Sequence, residues 1–112
     1  MKYEMRLHND PFNKIKAGTK TVELRLNDEK RQKIKIGDNI EFTSRVTGES
    51  ILTEVINIYK YSSFEELYKH FDKIAMGYNE NEIANPKDME QYYSKEEQDK
   101  YGVLGIEIKI VK

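Results

Sequence analysis

Apolar and polar residues alternate in five stretches of the chain, as they do in β-strands that bury one face. A turn at Thr47-Gly48-Glu49 joins the third and fourth stretches into a hairpin, and the fourth carries apolar groups on both faces, which predicts a central, buried strand. The sequence therefore predicts a sheet of about five strands. Its strands are residues 2–8, residues 21–26, the segment around Ile40 and Phe42, residues 50–59 and residues 104–110.

A short helix is predicted between the first two strands. Asp10 is expected to cap its first turn, and Pro11 fits the first helical position because proline has no N–H to leave unpaired there. Gly18 follows the last apolar residue of this helix, where a left-handed residue commonly ends a helix. We therefore expect a helix of two turns that leads directly into the second strand.

More helices are predicted between the fourth and fifth strands. Ser63 and Glu66 have the spacing of a capping box, and the apolar spacing after them predicts one continuous helix that runs through Ala75. Asn85-Pro86 predicts a second helix start. Ser94 with Glu97 predicts a third helix, which is expected to stop at Tyr101-Gly102.

These elements predict an α+β fold in one domain over residues 1–112. The natural packing is a small, mostly antiparallel, curved sheet or partly open β-barrel with short helices at its rim. A helical segment is expected to be inserted before the final strand.

The composition narrows the function classes. The chain has no cysteine and two histidines, which excludes disulfides, thiolate catalysis and cysteine-bound zinc and leaves little for a histidine-based metal site. We therefore expect neither a metal nor a cofactor. No apolar run approaches the roughly 20 residues that span a bilayer, and no signal peptide is recognisable, so a cytoplasmic location is expected.

Charge is uneven along the chain although the net charge is only −1. Residues 14–35 contain eight basic and three acidic side chains. A local positive potential with a balanced total is typical of a protein that binds one anionic ligand in one cleft. The alternative is a basic loop that is only solvated.

One short motif combines a cation, a carboxylate and a guanidinium, in the pattern Gly18-x-Lys20-x-x-Glu23-x-Arg25. Strand alternation places Glu23 and Arg25 on one face, whereas Lys20 joins them only if it lies in the turn before the strand. The alternative is an ion pair on an exposed sheet surface, which contributes little to stability and has no functional role.

Two chemistries can use this motif. In binding, Arg25 would pair with a phosphate or a base edge, Lys20 would supply a point charge, and Glu23 would hold Arg25 or accept from an amino group. In hydrolysis, Glu23 would take a proton from water while Lys20 or Arg25 stabilises the oxyanion. The residues alone favour neither.

Aromatic residues give a second indication of nucleic-acid binding. The chain has eight tyrosines, and four of them surround the helical segment, namely Tyr78, Tyr92, Tyr93 and Tyr101. Tyrosines beside a basic cleft can stack on bases, although packing at the rim of a small domain is the alternative for each. His8 and His70 are expected to be surface residues.

The motif, the order of elements and the closing segment GVLGIEI resemble the ASCH domain family, and the length is similar to that of a stand-alone ASCH protein. The resemblance implies a PUA-like β-barrel with a cleft beside the motif and binding of RNA or nucleotides. Some small bacterial members hydrolyse N4-acetylcytidine through the motif lysine, a threonine and a distant glutamate, and ribonuclease activity has been attributed to others. Lys20 matches the lysine, but Glu23 stands at the threonine position. The distant glutamate is not assigned among Glu65, Glu66, Glu80 and Glu82.

The leading hypothesis is thus a domain that binds single-stranded RNA, a nucleoside or a nucleotide. The expected binding residues are Lys20, Glu23, Arg25, Arg31, Tyr93 and Tyr101. The competing hypothesis is a hydrolase acting on a modified nucleoside or on RNA, with Lys20 and Glu23 as catalytic residues. A protein-interaction module whose charged face is only solvated is the third.

Overall fold

Five strands and four short α-helices make up most of the chain, and a computed structural model describes all residues 1–112. The strands are β1 (Lys2–Leu7), β2 (Val22–Leu26), β3 (Asn39–Ser44), β4 (Ser50–Tyr61) and β5 (Val103–Ile110). The helices are α1 (Asn9–Ala17), α2 (Phe64–Leu67), α3 (Lys73–Met76) and α4 (Lys95–Tyr101), with a 3₁₀ helix at Pro86–Gln91. No helix is both long and apolar enough to cross a membrane.

The strands form one curled, mixed sheet in the order β1-β3-β4-β5-β2. Three of the four pairings are antiparallel, while β1 pairs with β3 in parallel. The parallel pairing requires a long connection, which α1, β2 and the loop after β2 supply. The predicted α+β fold, a half-open and mostly antiparallel barrel with helices at its rim, is confirmed.

The buried apolar residues form two clusters that lie on different parts of the sheet. The first packs α1, through Phe12 and Ile15, against the centre of the sheet. The second packs the insertion, residues 62–102, against β2 and the start of β5, with Phe64, Leu67 and Met76 at its centre. The insertion therefore shares the core of the domain and lies beside β2, the strand that carries Glu23 and Arg25.

The start of α1 differs from the prediction. His8 occupies the N-cap position without a side-chain bond, and the helix begins at Asn9, so the expected cap by Asp10 is wrong. Asp10 instead lies in the first turn and pairs with Lys14 at 2.9 Å. The predicted end is confirmed, because Gly18 has φ 85° and its N–H bonds back to the last turn.

The single helix expected after Ser63 is wrong, since the segment forms α2 and α3 with a break between them. Asp72 explains the break, because its carboxylate accepts from the Ile74 N–H at 3.0 Å and so starts a new helix. The predicted starts at Asn85 and Ser94 are confirmed by their caps, and α4 ends before Gly102 as expected.

The longest strand, β4, lies in the middle of the sheet, but it is not buried on both faces. Ile51 and Val55 point into the core, whereas Leu52 and Ile56 are each 37% exposed on the outer face. The helices cover only one side of the sheet here, so the outer face contacts solvent.

Candidate functional site

The motif turns through Gly18 and brings Lys20 to the same face as Glu23 and Arg25. The Nζ atom of Lys20 lies 3.2 Å from Oε1 of Glu23. The second oxygen of Glu23, Oε2, accepts from Nε of Arg25 at 2.9 Å and lies 2.8 Å from its Nη2. These three side chains form one ion-paired cluster, which we call the motif triad.

The motif triad is buried. The side chains of Lys20, Glu23 and Arg25 are 6%, 5% and 14% exposed. The hypothesis of an ion pair on an exposed sheet surface is therefore wrong. The insertion provides the cover, since the Thr21 N–H just before β2 donates to the carbonyl oxygen of Ala75 at 3.0 Å.

The charges of the motif triad stabilise one another. Burial alone would raise the pKa of the Glu23 carboxyl, but Lys20 and Arg25 outweigh this effect and hold the pKa below its ordinary value. Burial would likewise lower the pKa of Arg25, but the Glu23 carboxylate, with a smaller contribution from the nearby Tyr93 hydroxyl, raises it instead. Glu23 and Arg25 are therefore both charged at neutral pH.

Two lysines also fasten the insertion to the motif. Lys20 donates to the carbonyl oxygen of Met76 at 2.9 Å, and Lys14 of α1 donates to that of Gly77 at 2.6 Å. Both carbonyls lie at the C-terminal end of α3, where the helix leaves its last carbonyl groups without helical partners. The two ammonium groups satisfy these acceptors and fix the end of α3 beside β2.

A cleft of about 580 Å³ opens above the motif triad, between α1 and the insertion. Small-molecule sites commonly occupy about 300–1,000 Å³, so the cleft has a suitable size. One wall carries mostly basic residues, namely Arg6, His8, Lys14 and Arg45, together with Asp10, which pairs with Lys14. The opposite wall belongs to the insertion and carries tyrosines and carboxylates, namely Tyr68, Tyr78, Tyr92, Tyr93, Glu82 and Asp88.

Four of the six residues expected to bind the ligand line this cleft: Lys20, Glu23, Arg25 and Tyr93. The other two do not line it. Arg31 pairs with Asp28 in the loop after β2, and the Tyr101 ring packs against the apolar cluster beneath the insertion. Of the four glutamates considered for a distant catalytic role, Glu82 alone lines the cleft.

The sequence did not reveal the basic wall. Arg6 lies on the polar face of β1, as alternation indicates, and His8 follows the strand at the N-cap of α1, but Arg45 comes near them only because β1 and β3 are parallel neighbours. In that pairing the Arg45 N–H donates to the carbonyl oxygen of Leu7 at 2.9 Å. The only available signal was the position of Arg45 at the start of the predicted hairpin turn.

Metal-binding groups are sparse in the site. The chain has no group of three or more histidine, cysteine, aspartate or glutamate side chains that could hold a metal ion. The chemistry that the cleft offers comes from ammonium, guanidinium, imidazole, carboxylate and phenol groups.

The curled half-barrel and the cleft beside its motif strand define a PUA-like protein. The family model described as "ASCH domain" matches residues 5–112, and the chain belongs to the ASCH domain family. Members of this family have a PUA-like fold and are generally RNA-binding. The family assignment made from the motif is confirmed.

The solved structures that are similar to the chain include the following three. The crystal structure of hypothetical protein PH0355 is 36% identical, with a TM-score of 0.83, and the match covers 99% of this chain and 100% of that one. The solution NMR structure of protein PF0455 from Pyrococcus furiosus is 32% identical, with a TM-score of 0.71 and coverage of 100% and 99%. An ASCH domain from Lactobacillus crispatus shares the fold at 13% identity, with a TM-score of 0.64 and coverage of 97% and 79%. Among proteins with curated descriptions, none matches.

Proposed function

We propose that the chain binds single-stranded RNA, or a nucleoside or nucleotide, in the cleft above the motif triad. The observation that carries this proposal is the state of Arg25, a buried guanidinium held by Glu23 at the floor of the cleft. Because its side chain is already held in place, Arg25 can bind an anion or a base edge with a smaller loss of side-chain entropy.

Unused donors at the floor support the proposal. Arg25 has five N–H groups, and Glu23 engages only its Nε and Nη2 atoms. Lys20 has three, and it pairs with Glu23 and donates to the carbonyl oxygen of Met76. Both oxygens of Glu23 are already engaged by cations, so donors dominate at the floor. Phosphate and base carbonyl oxygens are suitable ligands for such a surface.

Free cations on the basic wall support it further. Arg6 and Arg45 are exposed, and neither has a carboxylate within ion-pairing distance. Exposed arginines without partners can exchange their counterions for the phosphates of RNA, which makes binding sensitive to salt. A chain of net charge −1 can therefore present a cationic surface at the site alone.

Aromatic side chains on the opposite wall suit the bases of a nucleic acid. Tyr92 is 55% exposed, and Tyr93 lies beside Arg25 and stacks on Phe64 with a centroid distance of 6.0 Å. Base stacking on an aromatic ring contributes about 1–3 kcal/mol. Phosphates would thus lie toward Arg6 and Arg45 and bases toward the tyrosines.

The binding test uses a fluorescently labelled single-stranded RNA of eight nucleotides and anisotropy at several NaCl concentrations. Affinity is expected to fall as salt rises. The double variant Arg6→Ala/Arg45→Ala should bind more weakly and with a smaller salt slope, because each lost phosphate contact removes about 0.7 from the slope. The matched control, Lys60→Ala/Lys95→Ala, removes two cations that do not line the cleft. Equal loss in both double variants, or no RNA binding, would contradict the proposal.

A hydrolase is the second candidate, and the position of Glu82 favours it. Glu82 and Lys20 both line the cleft, and Glu82 has one oxygen, Oε2, without a hydrogen-bond partner, since only its Oε1 accepts from the Asn79 N–H. Glu23 is better suited to holding Arg25 than to accepting a proton, because its pKa is lowered and both of its oxygens are engaged. In this proposal Glu82 would activate water and Lys20 would stabilise the oxyanion.

The two functions are separated by incubating the protein with N4-acetylcytidine and with labelled RNA. A hydrolase predicts release of acetate and cytidine, or cleaved RNA, and loss of turnover in Glu82→Gln. Glu80→Gln is the matched control, since Glu80 does not line the cleft. Absence of turnover with both substrates, together with salt-dependent RNA binding, supports binding alone.

A further inference from the structure

Three side chains on the insertion wall form a hydrogen-bonded chain at the cleft. The hydroxyl oxygen of Tyr78 lies 2.9 Å from that of Tyr68 and 2.8 Å from Oδ2 of Asp88. It also lies 3.3 Å from the carbonyl oxygen of Asn85. Tyr68, Tyr78 and Asp88 all line the cleft, and we call them the acceptor chain.

The direction of the protons in the acceptor chain follows from simple counting. Tyr78 has one hydroxyl proton, and both the Asp88 carboxylate and the Asn85 carbonyl can only accept it. The proton of Tyr78 therefore points toward these two groups. If Tyr78 instead donated its proton to Tyr68, no proton would lie between the Tyr78 oxygen and Oδ2 of Asp88, which are 2.8 Å apart and would repel each other. Tyr68 must therefore donate its own proton to Tyr78.

This direction leaves Tyr68 and Asp88 as acceptors. The proton of Tyr68 is engaged, so its oxygen presents only lone pairs to a ligand, and Oδ1 of Asp88 has no partner within the chain. Burial raises the pKa of both tyrosines, which keeps both hydroxyls protonated at neutral pH. The insertion wall therefore offers hydrogen-bond acceptors, whereas the motif triad and the basic wall offer donors.

We propose that the acceptor chain makes the cleft select bases that carry an exocyclic amino group over bases that carry a keto group at the same position. This inference rests on the proposed nucleotide binding. An amino group offers two N–H donors at the edge of the base and can satisfy Tyr68 and Asp88 together. The N3–H of uracil is flanked by two carbonyl oxygens, which would face these acceptors and be repelled.

Two pairs of mononucleotides test the selection, since each pair differs mainly by this group. CMP is compared with UMP and AMP with IMP by isothermal titration calorimetry. The amino form is expected to bind roughly ten-fold more tightly in each pair, because a keto group leaves Tyr68 and Asp88 without a donor from the base. Equal affinity within both pairs would overturn the inference.

Variants separate the acceptor chain from general packing. Tyr78→Phe frees the Tyr68 proton, so Tyr68 can donate to a keto group, and UMP binding should improve while CMP binding weakens. Asp88→Asn, at an exposed position, should also reduce the ratio of CMP to UMP affinity. Tyr3→Phe removes a hydroxyl that donates to the carbonyl oxygen of Lys33, away from the cleft, and should leave the ratio unchanged. A preserved ratio in both Tyr78→Phe and Asp88→Asn contradicts the inference.

RNA of eight nucleotides distinguishes a failure of the base selection from a failure of the proposed RNA binding. Oligo(C) is expected to bind more tightly than oligo(U), with both affinities falling as salt rises. Equal, salt-dependent binding of the two oligonucleotides would overturn the selection and leave RNA binding standing. If neither RNA nor any mononucleotide binds, the proposed function fails and the selection fails with it.

Discussion

The ammonium nitrogen of Lys20 lies 3.2 Å from a carboxylate oxygen of Glu23, with both side chains almost completely buried. Removing one member of a buried ion pair leaves its partner charged and unpaired, which is strongly destabilising. The motif triad has two cations that depend on one carboxylate. Glu23 is therefore the residue on which the arrangement of the motif depends.

Glu23→Gln should lower the free energy of unfolding by roughly 3 kcal/mol, because Lys20 and Arg25 would lose their only carboxylate partner. Urea denaturation at pH 7, followed by circular dichroism, measures the change. Glu66→Gln is the control, since it breaks an exposed pair with Lys69 and should change stability little. Similar losses in the two variants would contradict the importance of the buried cluster.

Stability should decrease in acid partly through Glu23. Its folded-state pKa lies below the ordinary value of 4.5, so the folded state holds this proton less tightly than the unfolded state. The resulting stabilisation is fully present above about pH 4.5 and is lost as the pH falls through the lower, folded-state pKa. Urea midpoints of the wild type and Glu23→Gln between pH 7 and pH 3 test this. The two curves should converge in acid, and a constant separation would contradict the assignment.

Gly77→Ala should disturb both the backbone and the site. Gly77 has φ 109°, and a Cβ there would lie 3.2 Å from Cδ and 3.4 Å from Nζ of Lys20. The left-handed conformation alone costs an alanine about 1–2 kcal/mol. Gly48→Ala is the control, since Gly48 has φ 77° and no neighbour within 4 Å of the added carbon. Both variants should lose stability, but only Gly77→Ala should also weaken RNA binding.

Gln98→Leu should loosen the packing of the insertion. The Gln98 side chain is buried, and its Oε1 accepts from the Phe64 N–H at 3.2 Å while its Nε2 donates to the carbonyl oxygen of Tyr93 at 3.3 Å. Leaving these backbone groups unpaired should cost about 1–3 kcal/mol. Thermal unfolding measures the loss, with Gln91→Leu as a control on the exposed 3₁₀ helix. An equal loss at both positions would contradict this role.

The sequence predicted how the motif residues are placed relative to one another, because that placement depends only on neighbouring residues. Alternation along one strand places Glu23 beside Arg25, and the glycine turn at Gly18 determines where Lys20 lies. The burial of these residues was not predictable, since it depends on the insertion folding over an edge strand. A strand pattern indicates which residues share a face but not what covers that face.

The basic wall and the acceptor chain depend on contacts between distant segments. Arg6 and Arg45 are 39 positions apart and line the same wall of the cleft because β1 pairs with β3 in parallel, a choice that no local pattern encodes. Tyr68 and Tyr78 come together because the expected single helix breaks and restarts at Asp72.

Lys20 holds the end of α3 through the carbonyl of Met76, as well as the carboxylate of Glu23. The same ammonium group thus sets two properties of the cleft, the charge of its floor and the distance between its walls. A substitution of Lys20 changes the shape and the electrostatics of the cleft together. The basic wall, whose arginines support no other element, is where charge alone can be varied.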